Sequence, residues 1–298
     1  MTEKMTAHLY LSSESFKYNG TDSDDAIKNK LVLFYDLVKT LVANKNENKL
    51  FVFHTAFLNS PIFSDGTTVM EIIQNQPESY NKYGKDAVTL LCSVFKHFNN
   101  EYTTSEDITE YLKWEDENNC HGVLVFDSRS SLPLSHQVIS SVNGWLHFRR
   151  HYLAKYPKTS EFFANELMKY FPGIVFHSTL SQQISDVYKS HPFSIVRYLT
   201  AMEENLVSDF SNYGKDFIGF LDWFASKHGL DGASLEGTKD RDRFTFTFKD
   251  GTVAYCEPHL KMHCDDNQNS NQHCRIYFRK PQSNDDELVY VGCICEHL

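Results

Sequence analysis

No run of apolar residues in this 298-residue chain approaches the ~18 that a membrane-spanning helix needs. The first residues, Met1-Thr2-Glu3-Lys4-Met5, open no apolar export signal. The seven cysteines are odd in number, and none falls in a Cys-x-x-Cys pair. These absences argue against a membrane protein and against an exported disulfide scaffold. They lead to the expectation of a cytoplasmic protein with reduced thiols and no membrane partner. Positive charge is also short. The formal charge is −10, which disfavours a protein that coats nucleic acid with its whole surface but leaves room for a local basic site. There is no internal repeat.

What is present is an aromatic-rich globular sequence, with 23 Phe and 16 Tyr. Its length gives a prior of two or three domains. In residues 1–155 helical and strand patterns alternate. Ala7–Leu11 reads as a short strand. Asp24–Ala43 reads as a helix, with Ile27, Leu31, Phe34, Val38 and Leu41 at helical spacing and Ser23 or Thr21 as cap. Leu50–Phe53 and His121–Phe126 read as buried strands, and 86–98 and 105–114 as helices. Continuous apolar strands between helices predict an α/β layer with a parallel or mixed sheet. Residues 156–230 read as helical, with further helices around 180–189, 193–209 and 215–228. Residues 231–298 change to strand alternation. Arg243–Phe248 alternates strictly, and Asp250-Gly251 marks a hairpin turn. Val253–Cys264 returns as its partner strand, with Pro258 implying an edge or bulge. Asp265–Gln272 reads as a mobile loop, followed by strands at 274–279 and 288–297. The expectation is an α+β protein: an N-terminal α/β domain, a helical middle and a small C-terminal antiparallel sheet.

The last 46 residues hold five of the seven cysteines and a dense set of His, Lys, Arg and Tyr. Alternation places His259, Lys261 and His263 on one face, against Leu260, Met262 and Cys264. In the next strand Arg275, Tyr277 and Arg279 oppose Cys274, Ile276 and Phe278. Val291, Cys293 and Cys295 of the last strand read as core, and His297 sits at its end. Matching the apolar faces gathers His259, Lys261, Arg275 and Tyr277 on one surface. Such groups suit cleavage of RNA through its own 2′-hydroxyl. A neutral His or Lys takes the hydroxyl proton, Arg grips the phosphate, and a second His protonates the leaving oxygen. Tyr277 is placed to stack on a base. No cofactor is needed. The segment from Glu236 onward nevertheless carries 11 acidic against 8 basic residues, a net −3. That balance favours the competing class, a non-enzymatic sensor whose polar face docks a protein partner or a second copy.

The order His259-Leu260-Lys261, Arg275-Ile276-Tyr277-Phe278 and Val289-Tyr290-Val291-Gly292, with His297 at the end, resembles the sheet of RelE/HigB-type toxin ribonucleases. The resemblance covers about the last 45 residues. It implies Lys261, Arg275, Tyr277 and His297 as catalytic candidates, in a bacterial toxin or antiphage effector whose first two regions sense or restrain. This chain departs from that family in its acidity and in the long structure that precedes the sheet.

Two metal readings compete. Glu236, Asp250 and Glu257 with Lys261 resemble the carboxylates and lysine of a metal-dependent nuclease, although the compact Glu-x-Lys pattern is absent. Cys256, His259, His263, Cys264, His273, Cys274, Cys293, Cys295 and His297 offer many soft zinc ligands, without the usual paired spacing. Elsewhere, Asp127 ends a buried strand where α/β proteins place ligand groups, but no glycine-rich phosphate loop follows it. Arg129 and His136 straddle Pro133 and read as loop. His147, Arg149, Arg150 and His151 read as a solvated helix face or partner contact, and Glu203 and Glu204 as exposed helix residues.

Overall fold

The computed structural model describes residues 3–127, 135–214, 216–237, 241–263, 265, 273–282 and 288–296. The chain is α+β and divides into two compact units, Met1–Phe148 and Arg149–Leu298. Among the described residues no helix is long and apolar enough to cross a membrane.

The first unit runs β1 (Thr6–Leu11), α1 (Asp24–Ala43), β2 (Asn48–Val52), α2 (His54–Leu58), α3 (Val69–Gln74), α4 (Gln76–Tyr83), α5 (Lys85–His97), β3 (Asn99–Asn100), α6 (Ser105–Tyr111), β4 (Asn119–Leu124) and β5 (Val138–Ile139). Helix α1 starts at Asp24 because the Ser23 hydroxyl accepts from the Ala26 amide. All five strands are parallel, in the order β3-β2-β1-β4-β5. Leu9 aligns with Leu50 and Gly122, and these positions are buried. A Cβ on Gly122 would lie 2.8 Å from the Phe148 ring, so the strand needs glycine there. The strand order reverses beside β1. Past the strand ends at that reversal, Lys30 pairs with Asp22 at 2.7 Å and Asp127 at 3.3 Å, and the Asn19 amide donates to both carboxylates.

Helix α7 (Val142–Lys155) crosses the boundary in sequence. The second unit continues with α8 (Ser160–Tyr170), β6 (Ile174–Phe176), α9 (Leu180–Gln183), α10 (Pro192–Tyr213), α11 (Phe217–Lys227), β7 (Gly232–Ser234), β8 (Thr245–Thr247), β9 (Val253–Tyr255), β10 (His259–His263), β11 (His273–Phe278) and β12 (Val289–Cys295). Its main sheet has the order β6-β12-β11-β10-β7, antiparallel except that β6 runs parallel to β12. The helical stretch and the C-terminal sheet, separate by sequence pattern, therefore form one unit: β6 comes from among the helices and pairs at the sheet edge. One sheet face, with Leu260, Met262, Cys274, Ile276, Phe278, Val291 and Ile294, is fully buried, and α10 packs against its strands.

Several sequence expectations change. The long strand 253–264 breaks at Pro258: β9 pairs with β8 in a separate hairpin, and β10 joins the main sheet. Only four residues of the expected 180–189 helix are helical. Arg149 and Arg150 are buried, not solvated. Arg149 meets Glu166 at 3.4 Å. Arg150 pairs with Glu203, donates to the Tyr170 carbonyl at 2.8 Å and lies 4.0 Å over the Phe171 ring. Glu203 also accepts from the Gly173 amide at 2.7 Å, so it is a core partner and not an exposed helix residue. Buried guanidiniums require such pairing, because an unpaired buried charge is strongly destabilising. Arg129 and most of the Asp265–Gln272 loop lie outside the described residues.

Candidate functional site

The site grows from the pairing of β10 with β11. His259 stands opposite Tyr277, and Lys261 opposite Arg275. Cross-strand partners share a face, so these four side chains gather as the sequence pattern expects. Helix α10 fixes this part of β10 from the other side: the Tyr198 hydroxyl donates to the Lys261 carbonyl at 2.9 Å and accepts from the Asp231 amide at 2.5 Å. His297 lies outside the described residues.

The face is not uniformly solvated. Phe244, Phe246 and Phe248, from the hairpin and the turn before it, pack with Tyr277, Cys256 and Cys293 into a small core. Tyr277 is thereby buried to 0% exposure, and His259, against the Tyr277 ring, to 1%, whereas Arg275 keeps a partly open side chain and Lys261 is exposed. The strict alternation of 243–248 encodes a strand but not the surface it covers, which is why both buried groups were expected in water.

Between the buried and open halves sits Glu236, two residues past β7. Its Oε1 accepts from the Arg275 guanidinium and from the Tyr277 hydroxyl at 2.9 Å, with His259 Nδ1 3.6 Å away. His259 Nε2 meets the Ser234 hydroxyl at 2.9 Å, and Nδ1 meets the Glu257 carbonyl at 3.3 Å. Burial pushes the His259 imidazole down to about 4, so the ring is neutral near pH 7. Neutral and enclosed, it can position its neighbours but not donate a proton to a substrate. Glu236 entered the sequence reading only as a metal ligand. Its place here has no periodic signal, because it lies in a coil.

The last strand also changes face. Arg275 pairs with Cys295 and Tyr277 with Cys293, but Phe278 pairs with Val291. Gly292 is thus an extra residue, and the bulge reverses the side-chain alternation. Val291 stays on the apolar face, while Cys293 and Cys295 lie on the face of Arg275 and Tyr277. A Cβ on Gly292 would stand 2.5 Å from the Phe246 ring, so glycine lets the hairpin close on the sheet. The Cys293 hydrogen bond, and then the Arg275 and Arg243 guanidiniums, hold the Cys295 thiol below its usual range. The same bond, with burial, pushes Cys293 up. Two cations therefore act at this spot, and Arg243 is one the sequence reading did not single out.

The described members of the metal sets do not assemble. Among the described residues no three His, Cys, Asp or Glu side chains gather to hold an ion. Asp250 is occupied in the hairpin turn, accepting from the Thr252 amide at 2.9 Å and from Tyr290 at 3.0 Å. Glu257 accepts from the Gly237 amide at 2.7 Å. Cys274 points to the apolar face, and Cys264 lies outside the described residues. No protein-family model, no curated protein and no solved structure matches this chain.

Proposed function

We propose that this face of the second unit binds RNA and cleaves it through the RNA's own 2′-hydroxyl, without a metal, in a toxin-like or antiphage effector. The observation that carries the reading is the Glu236 carboxylate held between Arg275 and Tyr277, beside the open Lys261. In this mechanism Glu236 takes the proton of the 2′-hydroxyl, whose oxygen attacks the adjacent phosphorus. Arg275 turns toward the phosphate and offsets its growing charge, while Tyr277 keeps hold of Glu236. The bond from phosphorus to the 5′ oxygen breaks, and the Lys261 ammonium supplies the proton that the leaving oxygen takes up. The products are a 2′,3′-cyclic phosphate and a 5′-hydroxyl end. His259, neutral beneath the site, orients the Glu236 side and carries no proton to the substrate.

Purified protein incubated with single-stranded RNA in the presence of EDTA tests the reading. Expected are cyclic-phosphate ends from the wild type, little product from Glu236→Gln or Arg275→Ala, and no cleavage of a 2′-O-methyl analogue. Intact RNA with the folded wild type would overturn it.

A further inference from the structure

We infer that His263 and His273 form a stacking platform for the bases of an unpaired RNA strand beside Arg275. The inference rests on the cleavage reading above and names its substrate class. Residues 259, 261 and 263 share a face with 273, 275 and 277, so both histidines continue the surface of Lys261 and Arg275. They stand directly opposite each other, both exposed, with ring centroids 5.3 Å apart and planes at 62°. Two residues of strand separate them from the Lys261–Arg275 pair, roughly 7 Å.

The direction of the strand follows from what closes the face. On the Tyr277 side the hairpin phenylalanines fill it. A chain whose phosphate sits at Arg275 therefore extends the other way, over Lys261 toward the two imidazoles. The sequence alone assigned base stacking to Tyr277, but that ring is fully buried. Among the described residues of β10 and β11, the exposed flat rings on this face are the two histidines.

The β10 side of the platform is anchored through its backbone. The His263 amide donates to Asp231 at 2.9 Å. Two residues on, Asp265 accepts from the Phe193 amide at 2.8 Å and from the Ser194 hydroxyl at 2.5 Å, and its own amide donates to the Ser190 carbonyl at 3.0 Å. The end of β10 is thus fastened to the start of α10. An exposed pair of rings favours splayed single-stranded bases, whereas the bases of a duplex are stacked inside and offer only their edges.

The test uses the full chain, the wild type and His263→Ala/His273→Ala, both checked by thermal melting. Binding is read by fluorescence anisotropy with a labelled 2′-O-methyl single strand and with its duplex; cleavage is read separately on the matching RNA. Expected are single-strand binding preferred over duplex, and a loss of roughly tenfold in single-strand affinity in the double variant. Equal affinity of variant and wild type, a preference for duplex, or no binding at all would overturn the platform. Tight binding lost in the double variant, with the wild-type RNA left intact, would sink the cleavage reading and keep the platform. Cleavage with unchanged binding in the variant would do the reverse.

Discussion

The two units build their sheets differently, and the difference decides where chemistry can be read. The first has five parallel strands whose central members are largely buried, and its ion-pair cluster of Lys30, Asp22 and Asp127 lies beyond the strand ends. These groups satisfy one another. The second has a mostly antiparallel sheet with one apolar face and one mixed face, and its polar groups lie along the strands. There the alternation of residues sorts them by side. A parallel sheet hides its functional side chains from periodicity, whereas an antiparallel sheet displays them.

The largest expected effect separates the two polar clusters. Glu236→Gln or Arg275→Ala lowers RNA cleavage by about 10²–10³-fold. Lys30→Ala, in the first unit, leaves the rate within roughly twofold, because its partners Asp22 and Asp127 belong to that unit and not to the proposed reacting groups. Comparable losses from all three, measured as initial rates, would mean that the first unit takes part in the reaction.

Next come two glycines, one in each unit, where an added side chain meets an aromatic ring. Gly292→Ala forces the Phe246 ring away from the bulge, and Gly122→Ala presses on Phe148. Each is expected to destabilise by about 1–3 kcal/mol in denaturant unfolding, with Gly292 the costlier. Gly292→Ala should also lower cleavage, since the hairpin it displaces covers Tyr277. Unchanged stability in both would show that the neighbouring rings yield freely.

Each unit also encloses a histidine. Burial pushes His121 and His259 each down to about 4, with the neighbouring His8 adding to the effect at His121. The unfolded chain takes up these protons near pH 6.5, before the folded chain can. Their contribution to stability is therefore complete above about pH 6.5 and is lost as pH falls toward 4, on the order of 2 kcal/mol each. Urea midpoints at pH 7.5 and pH 5 read the slope. If His121→Asn and His259→Asn both keep the wild-type slope, the assignment to these rings is wrong.

The smallest effects are at the helix starts. Ser23 in the first unit and Thr159 in the second each accept an amide hydrogen bond from the first turn of their helix. Replacement by alanine should cost about 1 kcal/mol in either unit. A cap that costs nothing would mark a helix held by packing alone.

Helix α1 could be bounded from sequence at both ends because its cap, acidic first turn and apolar spacing are all local. The sharing of one face by His259, Lys261, Arg275 and Tyr277 was legible for a similar reason, since alternation sorts each strand by side, but the register that sets His259 opposite Tyr277 was not, because a shift of two residues keeps the same faces. The covering of Tyr277 by Phe244 and Phe246 was not legible, since a strand pattern does not say what it packs against. Arg150 and Glu203 looked like surface residues because charge is usually solvated, and only their mutual burial makes them core.

By itself the sequence determined the α+β class, the α1 helix and the pair of strands that carry the polar face, all properties of short-range periodicity and capping. Tertiary structure alone decided that Glu236 reaches Arg275 across 39 residues, that Gly292 turns Cys293 and Cys295 toward it, and that two of the four gathered side chains lie buried. The physical reason is that a coil residue, a one-residue bulge and the cover over a face have no period of their own. They are set by which surfaces remain to be buried once the strands have paired.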